Sequence, residues 1–298
     1  MSNPVIKANS VLVLVTLIWG LTFPLIKLAL AHVSPSTFTL FRFIFAALFF
    51  LPLLGFSLFN VNKSLLWVSL ILAILNSGVY FSQAIGLQTI TPSRSAFITG
   101  INVLLVPFLL PLFRLGRPTV VDIISTVCAF FGLYILTGAS LKHLVIGDLW
   151  TLITAIFYAL SIVVIQRLTP KVKNSYLLSF YQILFALPLL FGLTLADHTP
   201  SSWWHIHVII ALLFCSLCAT VLSFYLQMQY QKQTTATQAA LIYCLEPVFA
   251  AIFSHFISND RISKQTLLGG CIILVSLVLP IIYRTLLKQR KLRHSKTI

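Results

Sequence analysis

The sequence predicts an all-α integral membrane protein whose ten transmembrane helices form two inverted five-helix repeats. Three observations predict it. The chain is 59% hydrophobic and 8% charged, with a mean hydropathy of +1.00, whereas a soluble domain carries about 25% charged residues. Apolar stretches able to cross about 30 Å of hydrocarbon at 1.5 Å per residue recur along the whole length. Weak internal similarity also returns at an offset of 140 residues, pairing Ile101–Pro107 with Leu241–Pro247 and Ala96 with Ala236.

The spans follow in order. The first covers 9–30 and ends in Ala29-Leu30-Ala31, which imitates a cleavage site. It is too long for a signal-peptide core, and Lys27 interrupts it, so it stays as a span. The second, 36–54, begins after Ser34-Pro35, and the third, 65–87, ends at the brief polar break Gln88–Pro92. The fourth, 94–113, is closed by the Arg114–Pro118 turn, and the fifth is 119–137. The sixth, seventh and eighth are 148–167, 176–195 and 205–229. The ninth, 235–257, contains Glu246-Pro247; the tenth, 265–284, runs into a basic tail. No connection has room for a folded soluble domain.

A formal charge of +15 suggests nucleic acid, but the distribution of the cations argues against it. Lys7, Lys63, Arg114, Arg117, Arg167, Lys171, Lys173, Lys232 and the cations from Arg284 to Lys296 fall on one side of these spans. Arg94, Lys142, Arg261 and Lys264 fall on the other. That asymmetry is the positive-inside pattern with both termini cytoplasmic. The tail Lys288–Arg293 is expected against anionic headgroups.

Further register matches support the duplication. Trp19-Gly20 with Lys27 faces Tyr158-Ala159 with Gln166, and Arg117, Ser125 and Gly132 face Arg261, Gly269 and Ser276. The halves are 1–140 and 141–298. Five spans is an odd number, so the second half starts from the opposite side of the membrane. Inverted halves of this kind are a transporter architecture with the site between them near mid-membrane.

Glu246 carries the chemistry. Of five acidic residues, it alone lies near the middle of an apolar segment, where an ionised carboxylate costs about 2.5–3.5 kcal/mol. Pro247 follows and is expected to kink the helix and free a carbonyl. Either the acid faces a cavity or ion path, or it pairs with a buried Lys or Arg for packing. Polar stripes at helical spacing add candidates: Trp19, Phe23 and Lys27; Asn76, Tyr80 and Gln83; Thr154, Tyr158 and Ser161; Thr220, Ser223 and Gln227; Tyr243 and Glu246. Asn102, in the stretch that repeats as the Glu246 stretch, joins the substrate-binding candidates. A cavity walled by aromatics and amides suits an amphipathic organic solute; the alternative for each stripe is interhelical hydrogen bonding. Lys27 and Arg42 either snorkel to the headgroups or meet an anion near the outer gate, and Arg94 reads as a helix-end anchor. Pro107, Pro111 and Pro247 are either hinges for alternating access or static kinks.

Other signals carry little. Cys215 and Cys218 lie within a span and have no second pair, so they read as core residues. His205 and His207 beside Trp203-Trp204 read as an interfacial belt rather than a metal site. His143 and Asp148 have the spacing of some acyltransferases, without a catalytic domain around them. No catalytic residue, cofactor or metal is expected, and an enzyme reading finds no constellation.

Several of these residues resemble a known family. Trp19-Gly20-Leu21-Thr22-Phe23-Pro24-Leu25-Ile26-Lys27 is similar to the first-helix pattern of the drug/metabolite transporter superfamily, in its EamA-like ten-helix members. Arg42-Phe43 resembles its second-helix signature, and Gly86–Gly100 its third-to-fourth-helix turn. Leu245-Glu246-Pro247-Val248-Phe249-Ala250-Ala251 resembles its ninth helix, and Asp260-Arg261-Ile262 stands where the family commonly has Glu-Arg-Leu. Val106 departs from the pattern, because the second half has Glu246 at that place. The resemblance implies secondary transport of small metabolites across a bacterial inner membrane. The expectation is an exporter of amino acids or drug-like compounds working by alternating access. Its partners are the solute, membrane lipids and protons exchanged at Glu246, and no nucleic acid. Glu246, Pro247, Lys27 and Arg42 are its coupling or gating candidates. The other readings are uptake or antiport by the same fold and, from a different class, a membrane enzyme or a non-transporting scaffold.

Overall fold

The computed structural model describes residues 3–54, 61–137, 144–195, 202–258 and 263–294. Lys142, His143, Asp260, Arg261 and Lys296 lie outside them, as do the side chains of the tail Lys288–Arg293. The elements are α1 (Asn3–Ala29), α2 (Pro35–Leu54), α3 (Lys63–Thr89), α4 (Pro92–Gly100), α5 (Asn102–Leu112), α6 (Val120–Thr137) and α7 (Ile146–Leu168). They continue with α8 (Ser175–Thr194), α9 (Ile206–Ser216), α10 (Ser223–Tyr230), α11 (Ala236–Tyr243), α12 (Glu246–Ser258) and α13 (Lys264–His294). Among the described residues, nine helical stretches are long and apolar enough to span a bilayer, and Val120–Leu136 is a shorter tenth. The ten-helix expectation therefore holds. Helix faces that would be a liability in water, carrying Phe108, Leu112, Phe256 and Val275, point outward, as a lipid-facing belt requires.

Among the described residues, three spans are not continuous helices. The fourth breaks at Ile101 between α4 and α5, and the ninth breaks at Cys244-Leu245 between α11 and α12. The eighth changes to a π-helical turn over Leu217–Leu222 between α9 and α10. The kink expected from Pro247 is thus a full break placed before it. Pro247 has no N–H to bond the Tyr243 carbonyl and its ring would clash with it in a continuous helix, whereas in the first turn of α12 its missing N–H goes unnoticed. Pro107 and Pro111 lie inside α5, below the break of their own span.

The two breaks meet. The Cys244 thiol points at the Gly100 carbonyl, 3.9 Å away, while α4 packs on α12 and α5 on α11. The structural correspondence of the two spans thus falls about one helical turn from the 140-residue register read in the sequence. Other contacts also come in pairs. α3 lies against α7 and α8, and the α9–α10 span lies against α1 and α2; α6 pairs with α13.

Small residues set the close crossings. A Cβ on Gly20 would stand 2.6 Å from the Phe249 Cβ and 3.1 Å from the Glu246 carbonyl oxygen, so glycine lets α1 reach the first turn of α12. At the α6–α13 crossing a Cβ on Gly132 would stand 3.0 Å from the Gly269 carbonyl oxygen.

Candidate functional site

Glu246 is the first residue of α12, and only 4% of its surface is exposed. A carboxylate there sits at the positive end of the helix dipole. Its Oε1 accepts a hydrogen bond from the Tyr158 hydroxyl at 2.8 Å. Around it stands an aromatic wall: Trp19 is 5.9 Å from Tyr158 and 5.4 Å from Tyr243, and Tyr158 stacks on Tyr243 at 5.6 Å. Gly20, next to Trp19, lets α1 close on the first turn of α12, where Glu246 stands.

Trp19, Tyr158 and Glu246 open onto a cavity. It is a narrow slot. Of the residues singled out in the sequence, Trp19, Phe23, Asn76, Tyr80, Gln83, Tyr158 and Glu246 line it. Tyr243 stands behind the wall, sharing hydrogen bonds with Gln227 and Gln231. Asn102 is not in the lining; it lies at the break of the fourth span, and its amide donates to the Thr99 carbonyl at 2.7 Å.

Thr22, Val79, Thr99, Ser161 and Gln227 complete the lining. Ser161 and Gln227 end two of the stripes; Tyr158 of the first also lines the cavity, while Thr154 and Ser223 serve packing. Thr154 shares a hydrogen bond with Ser82 at 2.7 Å, and Ser223 donates to the Cys218 carbonyl. Thr99 gave no periodic signal. Its hydroxyl and that of Ser161 are buried beside the cavity without a hydrogen-bond partner among the described residues.

The two intramembrane cations do not pair with Glu246. Lys27 Nζ donates to the carbonyls of Leu87, Gln88 and Ile90 at 2.6, 3.1 and 3.0 Å. It thereby caps the C-terminal end of α3, a role neither sequence alternative named. Arg42 is 2% exposed, so it does not reach the headgroups. Its Nε donates to Thr220 Oγ1 at 2.8 Å and its Nη2 to the Ala219 carbonyl at 3.4 Å, and its guanidinium lies 4.2 Å from the Tyr80 ring centre. The π turn presents both acceptors, and the Ala219 carbonyl also takes the Trp19 indole N–H at 3.0 Å. Arg94, in the first turn of α4, grips Asp148 at the start of α7 through two hydrogen bonds of 2.6 and 2.7 Å. Among the described residues that is an ion pair, and Glu246 has none.

The belt expected at Trp203, Trp204, His205 and His207 gains a third imidazole, because His32 stacks on His205 at 3.5 Å. Partial desolvation, with His32 and His207 beside it, holds His205 below the usual imidazole range.

Comparison with known proteins agrees with this architecture. The family model described as "EamA-like transporter family" matches residues 6–138 and again 145–282. An uncharacterized transporter of Archaeoglobus fulgidus is 32% identical over 269 residues, covering 90% of this chain and 83% of its own. The uncharacterized transporter YoaV of Bacillus subtilis is 21% identical over 275 residues, covering 90% of this chain and 94% of its own. A solved crystal structure, 14% identical, superposes with a TM-score of 0.75 over 94% of this chain and 99% of that one. At that identity it shows the fold alone.

Proposed function

Because the chain belongs to the EamA-like transporter family, within the drug/metabolite transporter superfamily, we propose that it exports small organic metabolites, such as amino acids or drug-like compounds, by proton-coupled alternating access. It is a multi-pass membrane transporter; the solute, the direction and the coupling are the proposal. So are the placement in a bacterial inner membrane, with both termini cytoplasmic, and the working halves 1–140 and 141–298. The paired helix contacts and the double family match support those halves.

One observation carries the coupling: a buried Glu246 in the cavity, held by Tyr158 and paired with no cation among the described residues. Carrying an ionised carboxylate through a closed slot is costly. The transporter therefore changes sides readily only when Glu246 holds a proton or a cationic group of the solute. The aromatic wall packs the apolar part of the solute, and Thr99, Ser161, Asn76 and Gln83 offer hydrogen bonds. The slot widens to admit it, and the breaks in the fourth and ninth spans, which touch at Gly100 and Cys244, are where the halves can flex.

The experiment is paired metabolomics of cells and medium with and without expression, using Glu246→Gln as the control. Redistribution of one solute class by wild type but not by the variant would name the solute and its direction. If Glu246→Gln keeps exchange but loses uphill transport, the residue couples; if it loses binding, the residue is a counter-ion. Transport unaffected by Glu246→Gln refutes both roles.

A further inference from the structure

We propose that His32, His205 and His207 form a binding site for a divalent transition-metal ion of the zinc type. It lies on the membrane face opposite the N-terminus, where the turn after α1 meets the start of α9. The site is separate from the cavity, and the argument for it does not use the transport reading.

His32 comes from a position far in the chain from His205 and His207, and one ligand nitrogen from each lies within 4.8 Å of the others. Ring centres are 3.5 Å apart for His32 and His205, 4.8 Å for His205 and His207, and 6.2 Å for His32 and His207. The backbone fixes this meeting. The Ser202 N–H donates to the His32 carbonyl at 2.8 Å, and the His205 carbonyl accepts from Val208 and Ile209 in the first turn of α9. Trp203 is anchored against Phe41 at 4.5 Å. His205 Nδ1 accepts the His207 backbone N–H at 3.4 Å, which leaves Nε2 as its ligating nitrogen. His32 and His205 are half-buried and His207 is exposed, so an ion can enter and the rings can turn.

A neutral imidazole set suits zinc, nickel or copper and does not suit magnesium or calcium, which take oxygen ligands. Zinc–nitrogen bonds of about 2.1 Å in tetrahedral geometry need nitrogens about 3.4 Å apart. The cluster therefore closes by roughly 1.4 Å through side-chain rotation, which unstacks His32 from His205. Three protein ligands leave the fourth position to water or an anion. Once filled, the ion ties the first half of the chain, through His32, to the second half.

The test is titration of untagged, full-length protein in detergent with zinc chloride by calorimetry, with cobalt chloride as a spectroscopic probe. One zinc per chain and the visible absorption of tetrahedral cobalt are expected. His32→Ala, His205→Ala and His207→Ala should each weaken binding at least tenfold, while His255→Ala should not. Zinc should raise the thermal midpoint of the wild type and leave the triple variant unchanged. His207 is exposed, so His207→Ala tests the site even if His205→Ala disturbs the start of α9. Stoichiometric zinc binding that survives in the triple variant, or wild type that binds no more zinc than empty micelles, would overturn the proposal.

Discussion

Gly20→Ala isolates the contact on which the cavity depends. The added Cβ would stand 2.6 Å from the Phe249 Cβ, 3.1 Å from the Glu246 carbonyl oxygen and 3.2 Å from the Ala250 nitrogen. Ordinary carbon contact is about 3.5–4.0 Å, so α1 and α12 must part by roughly 1 Å. None of the three obstacles is the far end of a flexible side chain, so the shift falls on the backbones. Overpacking of this kind costs about 1–3 kcal/mol, a loss of about fivefold to 150-fold in the folded-to-unfolded ratio. Glu246 opens α12 and would move with it. A displacement of roughly 1 Å away from Tyr158 takes their 2.8 Å hydrogen bond beyond useful length. Transport should therefore fall further than the amount of folded protein does. The assay is folded fraction against rising sodium dodecyl sulfate in mixed micelles, alongside solute export from cells at matched expression. Gly20→Val should be worse than Gly20→Ala. If Gly20→Ala folds and transports like the wild type, the close approach of α1 to α12 does not position Glu246.

Tyr158→Phe keeps the aromatic wall and removes the Tyr158 hydrogen bond to Glu246, a charge-assisted bond worth about 1.5–3 kcal/mol. Transport efficiency should drop tenfold or more with little change in folded yield. Arg42→Lys retains the charge but loses the planar fork and the stacking on Tyr80. It should destabilise the protein by about 1.5–3 kcal/mol, read in the same detergent titration, with Arg42→Met no better. A double-mutant cycle on Arg94→Ala and Asp148→Asn should give a coupling of about 1 kcal/mol, discounted because Arg94 is partly exposed. A coupling near zero would mean the pair only decorates the ends of α4 and α7.

Where the sequence was legible, one-dimensional physics was enough. Hydropathy sees the cost of exposing polar groups to lipid, so the ten spans were readable, and the solitary Glu246 marked the cavity. Periodicity brought Asn76, Tyr80 and Gln83 to that cavity for the same reason. The breaks at Ile101 and Cys244-Leu245 were not readable, because they sit in apolar sequence and depend on one span crossing the other. The burial of Arg42 was not readable for a related cause. Its acceptors lie on Ala219 and Thr220, residues of the other half exposed by a π turn that no composition signals. Asn102 followed the repeat into the candidate set, but at a break the local turn decides where the side chain goes. His32 is separated from His205 by six spans, so only the folded chain unites them.

The π turn at Leu217–Leu222 also bears on how such a protein could be retuned. A π turn is an α-helix carrying one extra residue, and each residue turns the helix by about 100°. Everything after the insertion is rotated relative to everything before it. Val208, Ala211 and Leu212 on α9 keep their packing against the neighbouring helices, while Gln227 on α10 is swung to the cavity. Gaining or losing one residue here would exchange the side chains shown to the solute and leave the first half of the span undisturbed. Cargo preference can thus drift through chain length at a single point, a route that substitution alone does not provide.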